Sequence, residues 1–82
     1  MEAEGVIVTI ARRHLAQICA LDEDALRPDV PLLEYGLDSA RGIDLLVALE
    51  GEFSIRISDE DAAKLRTLSD IVSYLRERVP AR

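Results

Sequence analysis

The chain has 82 residues, a formal net charge of −6 and a pI near 4.6. That length holds one small domain and argues against a multi-step active site, while the acidic balance excludes the clustered Lys and Arg of a nucleic-acid footprint. Apolar residues make up 49% and aromatics only 4%, which points to a core of Leu, Ile, Val and Ala and hence to a helical bundle.

The segment Met1-Glu2-Ala3-Glu4-Gly5 is acidic and lacks the positive n-region of a signal peptide. No apolar run approaches the roughly 20 residues of a membrane-spanning helix. From Gly5 to Ala20, Ile7, Ala11, Leu15 and Ile18 recur at spacings of three and four, with Val8 and Cys19 beside them, so the spacing predicts one amphipathic helix. Arg12, Arg13 and Gln17 are expected outward on that wheel, with His14 at the stripe's edge. Cys19 is the single cysteine and His14 the single histidine, which leaves no intrachain disulfide and no metal cluster, and a reducing, cytoplasmic setting is the simplest expectation.

Leu21 to Asp38 reads as a long polar connection punctuated by Pro28, Pro31 and Gly36. Its apolar residues Leu26, Val30, Leu32, Leu33 and Leu37 are expected to pin it against the bundle. A second helix is predicted from Ser39 to Phe53, capped by Asp38 through an N–H of Arg41 or Gly42, with Leu45, Ala48 and Leu49 buried and Phe53 closing it. Ile43 and Val47 fall partly outside that stripe. Ser58-Asp59-Glu60-Asp61 predicts a short third helix capped by Ser58, and Thr67-Leu68-Ser69-Asp70 opens a last one that carries Leu68, Ile71, Val72, Leu75 and Val79 and stops at Pro80. No repeat or linker is visible, so residues 1–82 read as one four-helix domain. The Val79-Pro80-Ala81-Arg82 ending suggests a discrete protein, although a domain excised from a larger synthase would look the same.

The run Glu34-Tyr35-Gly36-Leu37-Asp38-Ser39 is a turn signal that ends in a hydroxyl where an apolar, helix-periodic segment begins. Leu37-Asp38-Ser39, the mixed apolar and acidic helix after it, and the continuation Phe53, Ile55-x-Ile57, Asp59-Glu60-Asp61 together resemble the acyl carrier proteins. The resemblance covers about Ile7 to Leu75. It implies an all-α bundle with a long loop between helices one and two, and Ser39 as the attachment point of a 4'-phosphopantetheine arm derived from coenzyme A. Unpaired N–H groups and the positive dipole end of a helix stabilise a phosphate diester there by about 0.3–1 kcal/mol. Asp38 is implied as a supporting residue that helps hold Mg²⁺ and coenzyme A in the modifying enzyme.

The same resemblance implies a carrier rather than a catalyst, monomeric and without nucleic-acid or membrane partners. Its implied partners are a phosphopantetheinyl transferase and acyltransferase, ketosynthase or acyl-activating enzymes. Ile43, Asp44, Val47 and Glu50 match the face such carriers present to those enzymes, and Leu37, Ala40 and Arg41 are expected to belong to the same partner-binding surface by position. Leu45, Leu49, Phe53, Ile57 and the last helix are expected to line a core that loosens to admit an acyl chain, with Ala48 and Ala63 enlarging it. Ala40, Arg41, Gly42 and Gly51 depart from the family's usual residues, which suggests polyketide or other specialised metabolism rather than housekeeping fatty-acid synthesis. Two other readings stay open. One is a peptidyl or aminoacyl carrier, including the D-alanyl type; the other is an unmodified acidic helical module in which Ser39 is dispensable. His14 has no neighbouring nucleophile, and the acid pairs Asp22, Asp24 and Asp59, Asp61 lack the Gly and terminal Glu of a calcium loop.

Overall fold

Ile7, Ala11 and Leu15 of the stripe expected on the first helix are each no more than 1% exposed, and they share one core with Leu45, Leu49, Leu68, Ile71 and Leu75, while Ile18, the stripe's last member, is half-buried against it. Burying each of the larger aliphatic side chains contributes about 1.5–3 kcal/mol relative to leaving it in water. The elements that supply them come from a computed structural model that describes residues 3–79. Helix α1 spans Ala3–Cys19, α2 Ser39–Phe53, α3 Asp59–Ala62 and α4 Leu68–Arg78. Two 3₁₀ turns, Glu23–Ala25 and Leu32–Tyr35, interrupt the connection from α1 to α2. The all-α bundle with a short third helix is therefore the observed architecture, and α2 has the predicted bounds. Helix α1 starts two residues before, and ends one residue before, the bounds its spacing predicts. Pro80, expected to stop α4, lies outside the described residues.

Each helix end has a local cause. Ser58 Oγ accepts the Asp61 N–H at 3.1 Å to open α3. Thr67 and Asp70 exchange side-chain and backbone bonds in a capping box that opens α4. The turns after α1 and α2 place Ala20 and Ser54 in the left-handed region, at φ 59° and 56°. There the N–H groups of Leu21 and Ile55 reach back to Ala16 and Glu50 carbonyls at 2.9 and 3.3 Å.

The long connection is pinned, as expected, but not by every residue expected to pin it. Leu26 and Leu32 are buried, whereas Leu33 is 73% exposed. The 3₁₀ turn at Leu32–Tyr35 explains the difference, because it directs adjacent side chains to different sides: Leu32, with Tyr35 three residues on, faces the core and Leu33 does not. Backbone bonds fix the loop to the α3–α4 connection and the first turn of α4: Leu32 N–H donates to Arg66 O at 2.8 Å and Ser69 N–H to Pro28 O at 2.9 Å. Tyr35 contributes its phenolic oxygen, which accepts the Arg27 N–H at 2.8 Å. Arg12 also departs from expectation. It is half-buried, and its guanidinium donates to the carbonyls of Glu23 at 2.6 Å and Leu26 at 3.1 Å at the close of the first 3₁₀ turn, where Glu23 O also accepts the Leu26 N–H.

Candidate functional site

The entrance of α2 is built by the turn before it. Gly36 adopts φ +88°, a conformation that side-chain-bearing residues rarely take, and closes the 3₁₀ turn through its N–H to Leu33 O at 3.0 Å. Asp38 then stands extended as N-cap, with Oδ1 accepting the Arg41 N–H at 2.9 Å, while its carbonyl accepts Gly42 N–H at 2.8 Å. The cap predicted for Asp38 is thus the one observed. The N–H groups of Ser39 and Ala40, in the first turn, keep no acceptor among the described residues. Ser39 is exposed and its hydroxyl has no hydrogen-bond partner among those residues.

Arg41 closes the turn from the other side. Its Nη1 donates to Gly36 O at 3.0 Å, and a Cβ built on Gly36 would sit 3.6 Å from that atom. The same guanidinium bears on Cys19, at the end of α1. Burial pushes the Cys19 thiol above its ordinary pKa, and the Arg41 charge pulls it only partly back. A half-buried thiol held protonated in this way fits the expectation of a packed residue rather than a reactive one.

Beside Ser39 runs a groove of about 370 Å³, with Ser39, Gly42, Ile43, Leu45 and Leu46 on one wall and Asp59, Ala62 and Ala63 on the other. Leu32, Leu37, Leu65 and Ile71 complete it. Of the expected lining, Leu45, Ala63 and the last helix through Ile71 are here, whereas Ala48, Leu49, Phe53 and Ile57 are not part of it. The reason is positional, because the groove follows only the first half of α2 where α3 approaches it. Leu49 lies in the core and Phe53 and Ile57 pack against that core. Gly42, Leu46 and Ala62 are lining residues that periodicity did not disclose, since which helix crosses near Ser39 is a tertiary property.

The remaining residues singled out on α2 divide by exposure. Ile43 and Val47 are each 61% exposed, Ala40, Arg41 and Asp44 are exposed, and Leu37 is half-buried at the groove. Glu50 stands apart, because it is half-buried and its Oε2 accepts the Ile57 N–H at 2.8 Å. The neighbouring carboxylate, Glu52, lies 2.9 Å from His14 Nε2 and ties α2 to α1.

An exposed hydroxyl, free helix N-terminal donors and an adjoining apolar groove together suit a phosphodiester-linked arm with an acyl end. Residues 10–75 match the model of the family described as "Phosphopantetheine attachment site". That match defines the class, a helical domain that takes 4'-phosphopantetheine covalently. The chain is also similar to the acyl carrier protein of Bdellovibrio bacteriovorus, 37% identical over 59 residues that cover 71% of this chain and 76% of that protein. The chain belongs to the acyl carrier protein family. No described helix is long and apolar enough to cross a membrane.

Proposed function

We propose that Ser39 carries the arm and that the protein, as a single monomeric carrier domain in the cytoplasm, holds acyl intermediates as thioesters and presents them to partner enzymes. The observation that carries this reading is the exposed Ser39 hydroxyl at the first residue of α2, beside unpaired N–H groups and the apolar groove. When bound, the arm supplies the thiol on which the acyl group rides. The protein's own residues do the rest: Asp38 fixes the helix entrance and adds a carboxylate beside the hydroxyl, and the N–H groups of Ser39 and Ala40 face the diester. The groove gives an acyl chain somewhere to leave water.

Docking falls to the exposed face of α2 and its approach: Leu37, Ala40, Arg41, Ile43, Asp44 and Val47. Two side chains as apolar as Ile43 and Val47, both 61% exposed on one helix, support this assignment. Glu50 contributes to the same surface through its α2 position while its carboxylate anchors Ile57. The partners are a phosphopantetheinyl transferase and acyltransferase, ketosynthase or acyl-activating enzymes. Ala40, Arg41, Gly42 and Gly51 on α2 support a dedicated pathway, polyketide or other specialised metabolism.

The test is the intact mass after incubation with coenzyme A, Mg²⁺ and a promiscuous phosphopantetheinyl transferase. A gain of one phosphopantetheine that Ser39→Ala abolishes, with the fold unchanged by circular dichroism, is the expected result. A gain that persists in Ser39→Ala moves the attachment elsewhere. For the pathway, a fatty-acid malonyl transferase is expected to load the holo form less efficiently than that enzyme's own carrier.

A further inference from the structure

The three carboxylates of α2 are not equally available. Glu50 is half-buried and accepts the Ile57 N–H at 2.8 Å, and Glu52 pairs with His14 at 2.9 Å. Asp44 alone is exposed without a described partner. One turn before it, Arg41 is exposed yet fixed, because its guanidinium is hydrogen-bonded to the Gly36 carbonyl in the turn that delivers Ser39. Asp38 already has an oxygen in the helix cap, and Asp59 belongs to the opposite wall of the groove. The outward face of α2 is therefore of mixed sign: it carries one held cation and one unpartnered carboxylate beside Ile43 and Val47, while Asp38, Glu50 and Glu52 keep their charge but are tied to other groups, on a chain whose net charge is −6.

Such a mixed face suits a uniformly basic surface less well than an all-acidic one would, since part of what Asp44 gains there Arg41 loses by like-charge repulsion. Resting on Ser39 as the attachment point, we infer that the enzyme docking on this face has a bipolar surface: a carboxylate opposite Arg41, a cation opposite Asp44, and an apolar socket between them for Ile43 and Val47. Arg41, sited two residues from Ser39 and unable to swing away without breaking its bond to Gly36, then acts as the residue that rejects uniformly basic partners.

The test uses the full chain, coenzyme A, Mg²⁺ and a phosphopantetheinyl transferase whose carrier-binding surface is lined by Lys and Arg, with initial rates read by intact mass at low and at physiological salt. Arg41→Glu is expected to raise kcat/KM about tenfold at low salt and to steepen its decline with salt, and Arg41→Met to give a smaller rise. A Glu placed on the transferase at the basic residue facing position 41 is expected to speed modification of the parent chain and to slow that of Arg41→Glu. If both Arg41 variants are modified no faster than the parent, at unchanged circular dichroism, the inference is overturned. Should Arg41→Glu fail to fold, Arg41→Met carries the same decision. If the parent gains no arm at all, it is the reading of Ser39 that falls; normal but charge-insensitive loading leaves that reading standing and removes only this one.

Discussion

Tyr74 on α4 donates its phenolic hydrogen to Oδ2 of Asp61 on α3 at 2.8 Å. Arg78 Nη2 reaches the same oxygen at 2.8 Å, with its Cζ 4.7 Å from the centroid of the Tyr74 ring. A four-residue helix such as α3 is far too short to persist by its own hydrogen bonds, so tertiary clasps of this kind keep it folded. Because α3 is one wall of the groove beside Ser39, the clasp also sets how readily that groove opens. Tyr74→Phe is expected to lower stability by about 1 kcal/mol. The amides of Ala62 and Ala63, now bonded to Ser58 and Asp59 carbonyls, should exchange faster with deuterated solvent than those of α1. Equal protection in the variant and the parent would mean that the clasp does not hold α3.

The same hydroxyl gives the protein an alkaline limit. Burial, then the hydrogen bond to Asp61, push the Tyr74 pKa above the ordinary tyrosine range, with Asp61 and Glu50 adding and Arg78 opposing. In the unfolded chain the phenol ionises at its ordinary value. As pH climbs past that value the unfolded state loses its proton first, so stability falls, whereas below it nothing is lost. In a Tyr35→Phe background, absorbance at 295 nm should show Tyr74 ionising later than free tyrosine. The alkaline loss of stability should shrink in Tyr74→Phe. An ordinary titration curve would contradict the burial argument.

Asp38 separates folding from modification. Its Oδ1 caps α2, and replacement by Ala should reduce stability by about 1 kcal/mol, whereas Asn caps nearly as well. Asp38→Asn is therefore expected to unfold near the parent's temperature yet to accept phosphopantetheine more slowly, because the carboxylate charge beside Ser39 is gone. Parallel losses of stability and of transfer in both variants would reduce Asp38 to a cap.

How far the sequence discloses this arrangement depends on the range of the interactions. The caps at Asp38, Ser58 and Thr67 and the span Ser39–Phe53 were legible because their causes lie within a turn of each residue. So was the hydroxyl at a helix entrance. Arg12 was not: a helical wheel places it outward, but the loop folds over it and presents the Glu23 and Leu26 carbonyls. Leu33 was misread because apolar character says nothing about the side a 3₁₀ turn assigns to it. The groove was only half legible, since its α2 wall is periodic while its α3 wall depends on how the Ser54–Ser58 connection brings Ala62 and Ala63 across. The inequality of the three α2 carboxylates was hidden for the same reason, His14 being distant in sequence from Glu52 and Ile57 lying past the end of α2, where no helical spacing relates it to Glu50.

Two glycines inside α2 allow stability and groove function to be measured apart. A Cβ added at Gly42 or Gly51 meets no atom within 4 Å, so Ala fits at both. Each substitution should stabilise the protein by about 0.5–1 kcal/mol, through helix propensity and a less flexible unfolded chain. In a domain of this size that is a rise in Tm of several degrees, about 4–8 °C per kcal/mol. Only Gly42 lines the groove, and a methyl there narrows the wall next to Ser39. If an acyl chain leaves water along this groove, converting the holo form to its octanoyl thioester should raise Tm less in Gly42→Ala than in Gly51→Ala, although both start from the same improved baseline. An equal rise in the two would show that the chain does not enter beside Gly42, and the acyl end would then have to be sought nearer Leu49 and Phe53, deeper in the bundle.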